Sequence, residues 1–361
     1  MEEDIRAQLA ETPYAPSALK PLTGGTANFI YRATLVQPLA DGTSDVVVKH
    51  GEAYVATVPD FKLNTSRCEV EEECLRVLAD LPPSATASCV VGTPRLYSFN
   101  PATNTQVQEY LPNAISLKEY ALKHYEAPTP SSLEPECLDL GDALGKWLRS
   151  FHDWGNQPTQ AQLRELLAGN RELQSLKHMI NYQALIQKAS QHPSILQDVR
   201  DVLLQISETT AAELLDDGKL EVIHGDFWTG NIILPNAPIK RGAKTTVKII
   251  DWEMAQLGIR PLDLGQNIAE LWLLMLYRGI DAGPWIIRGF VAGYGRVAPD
   301  FAFRTILHVG AHLMSFGAST PGWGTREQGE QVMKVGKDVL LHAWNKNRSA
   351  FNGHVLECLF F

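Results

Sequence analysis

The chain has 361 residues, of which 45% are hydrophobic and 20% charged, with a formal net charge of -9. This is the balance of an ordinary globular protein that can bury a core without disulfides or metals, and its length allows two domains at roughly 150 residues each. The acidic surplus argues against nucleic acid or anionic membrane as partners, because both are held by basic patches. Cys68, Cys74, Cys89, Cys137 and Cys358 are scattered and form no CxxC pair, which reads as the reduced thiols of a cytoplasmic protein. The acidic start, Met1-Glu2-Glu3-Asp4, lacks the positive charge of a signal peptide. The most apolar run, Ile268 to Tyr277, falls well short of the ~20 residues that span a bilayer and reads as a buried helix.

After a short polar helix the chain reads as strands. Leu22 to Leu35 carries two β-prone runs around Gly24-Gly25, and Asp45-Val46-Val47-Val48-Lys49-His50 is too β-branched to prefer helix. From Arg67 to Leu81 the period changes to helical, with Val70, Cys74, Leu75, Val77 and Leu78 on one side and Glu69, Glu71, Glu72 and Glu73 toward the start, where the helix dipole favours anions. Pro82-Pro83 stops this helix. Short strands follow around residues 94–99 and 105–110. The remainder is mostly helical: 138–152, then runs near 178–215, 263–278, 284–295, 301–316 and 326–344. Ala127 to Pro135 reads as a surface connection. A strand-like block, 220–224, 232–234 and 247–251, interrupts the helices. Segregated strands and helices define an α+β chain.

The densest chemical signal lies in that block. In Val222-Ile223-His224-Gly225-Asp226-Phe227-Trp228-Thr229-Gly230-Asn231 an apolar strand delivers a His, a Gly and an Asp into a loop, and an Asn follows five residues after the Asp. A second apolar strand ends in Ile249-Ile250-Asp251-Trp252-Glu253. Phosphoryl transfer needs a carboxylate beside the acceptor hydroxyl and oxygen ligands that hold Mg2+ against the phosphates. Two carboxylates and an amide at strand ends facing one cleft supply that set.

His224-Gly225-Asp226 with Asn231 resembles the HGDxxxxN motif of the aminoglycoside phosphotransferase and choline-kinase-like family, small-molecule kinases of protein-kinase-like fold. Ile250-Asp251-Trp252-Glu253 resembles the family's metal-binding strand end. Arg260-Pro261-Leu262-Asp263-Leu264-Gly265 resembles the segment whose aspartate braces the catalytic loop. Gly310-Ala311-His312-Leu313, Pro321-Gly322-Trp323-Gly324 and His342-Ala343-Trp344 resemble phosphotransferase-domain proteins common in fungi, and the pattern is similar to methylthioribose kinase and the fungal hydroxytryptamine kinases.

The resemblance implies two lobes: residues 1–110, a small antiparallel sheet with one helix that binds nucleotide, and 111–361, a larger helical lobe that carries catalysis and the acceptor. It implies ATP and Mg2+ as cofactors, Asp226 as catalytic base, and Asn231 and Asp251 as metal ligands. Gly24, Gly25, Thr26 and Asn28 match the phosphate-covering loop, and Lys49 the strand lysine of the α- and β-phosphates. Glu71 is chosen as its partner because Leu75 and Leu78 follow at the family's spacing, while Glu69, Glu72 and Glu73 remain open. Backbone groups of Glu109 and Leu111 match the adenine hinge.

Gly225 stands in place of the protein-kinase HRD arginine, and between Glu253 and Asp263 there is no room for an activation loop. Trp228 stands where many protein kinases place a lysine near the transferred phosphate. All three departures point to a small-molecule acceptor, with Trp228 read either as a wall of its pocket or as core. Trp272, Tyr277, Trp285, Trp323 and Trp344 with Glu253 and Glu270 are candidates for caging an amine, which favours an amine- or ring-bearing alcohol. The alternative is a catalytically silent nucleotide-binding or partner-binding member of the same fold. It requires a lost catalytic residue, and none is lost.

Overall fold

The structure is a computed structural model that describes residues 1–361 except Thr23, Arg241 and Pro321. Two positions of the motifs above, Thr23 of the glycine loop and Pro321 of the C-terminal segment, therefore lie outside the described residues.

Helix α1 (Glu2–Leu9) buries Ile5 and Leu9 against a five-stranded antiparallel sheet. The sheet is built from β1 (Pro16–Pro21), β2 (Phe29–Leu35) and β3 (Asp45–His50), and its other members come after a short hairpin, β4 (Tyr54–Val55) and β5 (Val58–Lys62), and helix α2 (Ser66–Leu78). Strands β6 (Ser84–Ala85) and β7 (Cys89–Gly92) leave this sheet, β8 (Leu96–Asn100) and β9 (Thr105–Glu109) return to it, and the final order is β1-β2-β3-β9-β8. Val46 and Val48 on β3 face the α1 side with Leu19, Ala33 and Val107. Strand alternation then turns Lys49 to the other face, toward α2.

The second sheet has the order β10-β12-β13-β7-β6. It joins β10 (Ala114–Ser116), β12 (Ile232–Pro235) and β13 (Thr245–Ile249) to β7, which runs parallel to β13 with Cys89 opposite Thr245. Between them, β11 (Glu221–Ile223) pairs with β14 (Gln256–Gly258). The apolar residues of α2 (Val70, Cys74, Leu75, Leu78) belong to the same buried cluster as Cys89, Val91 and Ile249 of this second sheet.

The helices are α3 (Leu117–His124), α4 (Glu134–Gly155), α5 (Ala161–Ala168), α6 (Arg171–His178), α7 (Ala184–Gln191), α8 (Pro193–Leu196), α9 (Arg200–Glu213), α10 (Pro261–Arg278), α11 (Ala282–Tyr294), α12 (Pro299–His312) and α13 (Arg326–Trp344). A capping box between Ser116 and Glu119 starts α3. Helix α4 begins four residues before the expected Leu138, because Pro135 fits the first turn. The segment before it is the surface connection expected, exposed at Ala127, Pro128, Pro130, Ser131 and Ser132, and it is pinned at one point, where the N–H of buried Thr129 donates to Asp281 at 2.9 Å.

Helices α4 and α11 pack backbone to backbone. A methyl group at Gly141 or Gly145 would overlap the backbone of Ile286 or Phe290, and one at Gly289 or Gly293 would overlap that of Leu138 or Asp142. Two GxxxG spacings on facing helices thus set their approach. Helix α10 is the buried helix expected from Ile268 to Tyr277, and among the described residues no helix is long and apolar enough to cross a membrane.

Candidate active site

Strand β11 carries Val222 and Ile223 into the core and releases His224, Gly225 and Asp226 as a loop. Gly225 has φ +77°, and a Cβ there would strike the carbonyl of Met254, so glycine is required for this turn. Asp263, in the first turn of α10, braces the loop by accepting the backbone N–H groups of His224 at 2.8 Å and Gly225 at 3.0 Å. Buried His152 holds Asp263 from the other side at 3.0 Å, and burial pushes the imidazole below its ordinary pKa. The side chain of Asp226 is 25% exposed. Its Oδ1 accepts from Lys177 Nζ at 2.6 Å and Gln266 Nε2 at 2.8 Å, and its Oδ2 accepts from Asn231 Nδ2 at 3.0 Å. Burial alone would raise the Asp226 pKa, but the Lys177 charge and these hydrogen bonds hold it below the usual carboxylate value.

Asn231 also ties the two strand ends together. Its backbone carbonyl accepts from Ile250 N–H at 3.0 Å, which places it beside Asp251. Asp251 has φ +68° and ψ +63°, a left-handed conformation uncommon outside glycine, and its side chain is 35% exposed. Lys49 Nζ lies 2.5 Å from Asp251 and 2.6 Å from Glu71. Burial works against the Lys49 charge, but Asp251, Glu71 and Glu253 outweigh it and hold its pKa above the ordinary lysine value.

Of the four glutamates on α2, the structure brings Glu71 to Lys49. Burial raises the pKa of Glu71, and Glu253 is pushed up to about 7 by burial and by repulsion from Asp251. Glu71, Asp251 and Glu253 each offer a carboxylate oxygen within 4.8 Å of the others. Lys49 and Arg67 are two cations against these three carboxylates, which would carry excess negative charge once all are ionised. Hard oxygen donors with excess negative charge fit Mg2+.

The glycine loop rests on the β4–β5 hairpin, with Thr26 and Ala27 carbonyls accepting from Thr57 and Ala56 at 3.2 Å. Gly24 is left-handed at φ +106°, and Gly25 packs closely on Ile30. Asn28 is buried and its side chain is committed elsewhere: Nδ2 donates to Glu253 at 2.7 Å and Oδ1 accepts from Arg67 at 3.2 Å. What Asn28 can offer a ligand is its backbone. At the hinge, Glu109 N–H donates to Arg95 O at 2.8 Å, and Leu111 O accepts from Ala114 N–H at 3.3 Å.

The aromatic candidates do not form one cage. Trp272 packs on His354, while Trp323 stacks on Tyr277 at 5.8 Å and carries the Lys118 ammonium 4.0 Å over its ring. Glu253 belongs with Lys49 and Arg67, away from that stack. Glu270 is buried and accepts from or shares a proton with His312 at 2.8 Å. Its second oxygen, His312 Nδ1 and Trp323 Nε1 have no hydrogen-bond partner among the described residues. Trp228 lies with its ring over Gly230. Arg67, Lys177 and Gln266 were not foreseen from the sequence, since none falls within a recognised motif.

A carboxylate loop, a lysine–glutamate pair and a cluster of acids brought together at strand ends are the parts of a protein-kinase-like phosphotransferase. The chain belongs to the phosphotransferase enzyme family, whose model matches residues 35–305. It is 30% identical to phosphotransferase FrzJ of Cladobotryum sp over 370 residues, covering 99% of this chain and 95% of that protein. It is 23% identical to 4-hydroxytryptamine kinase of Psilocybe cyanescens, covering 96% and 92%. The fold is that of a choline/ethanolamine kinase family protein from Mesorhizobium loti, with a TM-score of 0.52 at 16% identity over 96% of this chain and 99% of that one. A GDP complex of a mutant aminoglycoside 2'-phosphotransferase-IIIa gives a TM-score of 0.50 at 15% identity, covering 97% of this chain and 98% of that one.

Proposed function

We propose that this protein transfers the γ-phosphate of ATP to a hydroxyl of a small amine- or ring-bearing alcohol, with Mg2+ as cofactor. The observation that carries this reading is Asn231, whose side chain grips Asp226 while its backbone is bonded to Ile250 beside Asp251. One residue thereby fixes the spacing of the two cleft-facing carboxylates. Asp226 Oδ2 takes the acceptor proton, the acceptor oxygen bonds to the γ-phosphorus, and ADP leaves with the electrons of the broken P–O bond. Lys49, kept in place by Glu71, binds the phosphates together with backbone N–H groups of Gly24, Gly25, Thr26 and Asn28. Backbone groups of Glu109 and Leu111 bind the adenine. Asp251 and Asn231 would hold Mg2+, which when bound neutralises and aligns the phosphates.

The amine preference rests on Glu270. It stands one helical turn beyond Gln266 on α10, about 6 Å along the axis from the residue that touches Asp226. A buried carboxylate oxygen without a donor calls for one, and a substrate ammonium would supply it. The relatives named for 4-hydroxytryptamine support an acceptor of this kind.

The test is ATP consumption with 4-hydroxytryptamine, choline, sugars and aminoglycosides, repeated for Asp226→Asn and Asp251→Ala. Turnover near the wild-type rate in both variants sinks the assignment of the site. Exclusive use of anionic acceptors sinks the amine preference alone.

A further inference from the structure

The loop from His224 to Asn231 contains no lysine or arginine, yet a buried ammonium lies against its aspartate. Lys177 comes from α6, which is 49 residues upstream of Asp226, and its side chain is only 9% exposed. The helix is fixed at two further points. Asn170 Nδ2 donates to Ala255 O at 2.9 Å and Gln174 Nε2 to Leu257 O at 2.7 Å. Residues 170, 174 and 177 lie on one helical face. Two of them clamp α6 to the backbone following Glu253, and the third delivers its charge to Asp226.

A carboxylate has about four acceptor sites, two on each oxygen. Lys177 and Gln266 fill both on Oδ1, and Asn231 fills one on Oδ2. We propose that Lys177, assisted by Gln266, is a positioning residue that locks Asp226 through Oδ1 and leaves the one open site on Oδ2 as the only place where the acceptor hydroxyl can be received. This rests on the catalytic reading of Asp226 given above. Lys177 acts through Asp226, so its contribution exists only while Asp226 is a carboxylate.

That dependence is what a double-mutant cycle measures. Lys177→Met and Lys177→Gln are made alone and in an Asp226→Asn background. Rates are measured with Mg·ATP and 4-hydroxytryptamine, or with the best acceptor from the panel above, and Mg·ADP affinity and unfolding midpoints are measured in parallel. The expected result is that each Lys177 variant lowers kcat by roughly 30- to 100-fold in the wild-type background, with acceptor KM and Mg·ADP affinity within about threefold. In the Asp226→Asn background the same changes alter kcat by less than about threefold. The proposal is overturned if both variants keep kcat within about threefold of wild type, or if they cost as much in the Asp226→Asn background. It is also overturned if lost activity merely follows lost folding in both. Full turnover by Asp226→Asn itself removes the catalytic reading beneath it, which is a different outcome from failure of Lys177 alone.

Discussion

Arg67 is wholly buried and donates its Nε to Glu253 at 3.1 Å, joining the helix that carries Glu71 to the strand end that carries Asp251. The remaining guanidinium nitrogens are bonded to Asn28, the Glu52 carbonyl and the Asn64 carbonyl. One side chain thus holds the glycine loop, the α2 entry and the Asp251 strand end together.

Arg67→Met leaves the Glu253 carboxylate buried beside Asp251 and Glu71 with only Lys49 to balance all three. Breaking a buried pair from one side costs about 3 to 5 kcal/mol. The expected outcome is a large drop in the urea midpoint, with part of it recovered in Arg67→Met/Glu253→Gln. A double variant no more stable than the single one would show that the pair is not the source of the loss.

Gly225→Ala forces an L side chain into a left-handed turn and against the Met254 carbonyl. The loop must shift, and Asp226 with it. Activity should fall at least about 100-fold, since a displacement near 1 Å at a reacting group carries such a cost. Kinetics read beside circular dichroism check this: the fold is expected to survive while kcat does not.

The α4–α11 seam is equally intolerant. Gly289→Ala places a methyl in the Leu138 backbone, and overpacking of this type costs about 1 to 3 kcal/mol, more where backbone must separate. Denaturant unfolding should show the loss, and Gly295→Ala, where a Cβ meets open space but φ is +87°, should cost less. Equal losses at both sites would place the effect in backbone conformation and not in the seam.

The buried histidines contribute a loss of stability on the acid side of neutrality. Burial lowers the pKa of His152, and lowers that of His308 further with the help of Arg304. Histidines depressed in the folded state bind more protons when unfolded, so unfolding takes up protons below about pH 6.5 and folding stability falls as pH drops through that value. Glu253, pushed up to about 7, acts in the opposite direction because the fold takes up its proton first, so the histidine part is read by difference: His308→Gln should lose less of its urea midpoint, or gain more, between pH 7.5 and 5.5 than the wild type does. An identical pH response in the two proteins would contradict the assignment.

Much of the site was legible because its parts are local in sequence. The HGD loop, the strand-end Asp251 and the lysine ending Val46-Val47-Val48 each announce themselves by an apolar run that stops at a polar group. Glu71 was chosen among four neighbours only through the family resemblance, in which two leucines follow at the spacing of Leu75 and Leu78. Asp263 was legible through the same resemblance, in the segment Arg260 to Gly265. Lys177 and Arg67 were not. Each lies in an unremarkable amphipathic stretch, and their partners are 49 and 186 residues away. Such contacts are created by how helices dock, which a periodic pattern does not encode. The same holds for β7, whose Val90 and Val91 gave no sign that the strand would pair parallel to one more than 150 residues later.

That pairing bears on how the cleft can move. The backbone passes between the two sheets three times, at 79–83, 93–95 and 110–113, and Lys248 on β13 stitches two of these passages by donating to Thr93 O at 3.0 Å and Glu109 at 2.9 Å. A single connector would act as a swivel; three strands of chain anchored side by side act as the spine of a book. Opening is expected as rotation about that spine rather than as sliding of one sheet across the other, and a nucleotide bound as proposed above would enter and leave along the free edge, between the glycine loop and the Asp251 strand end.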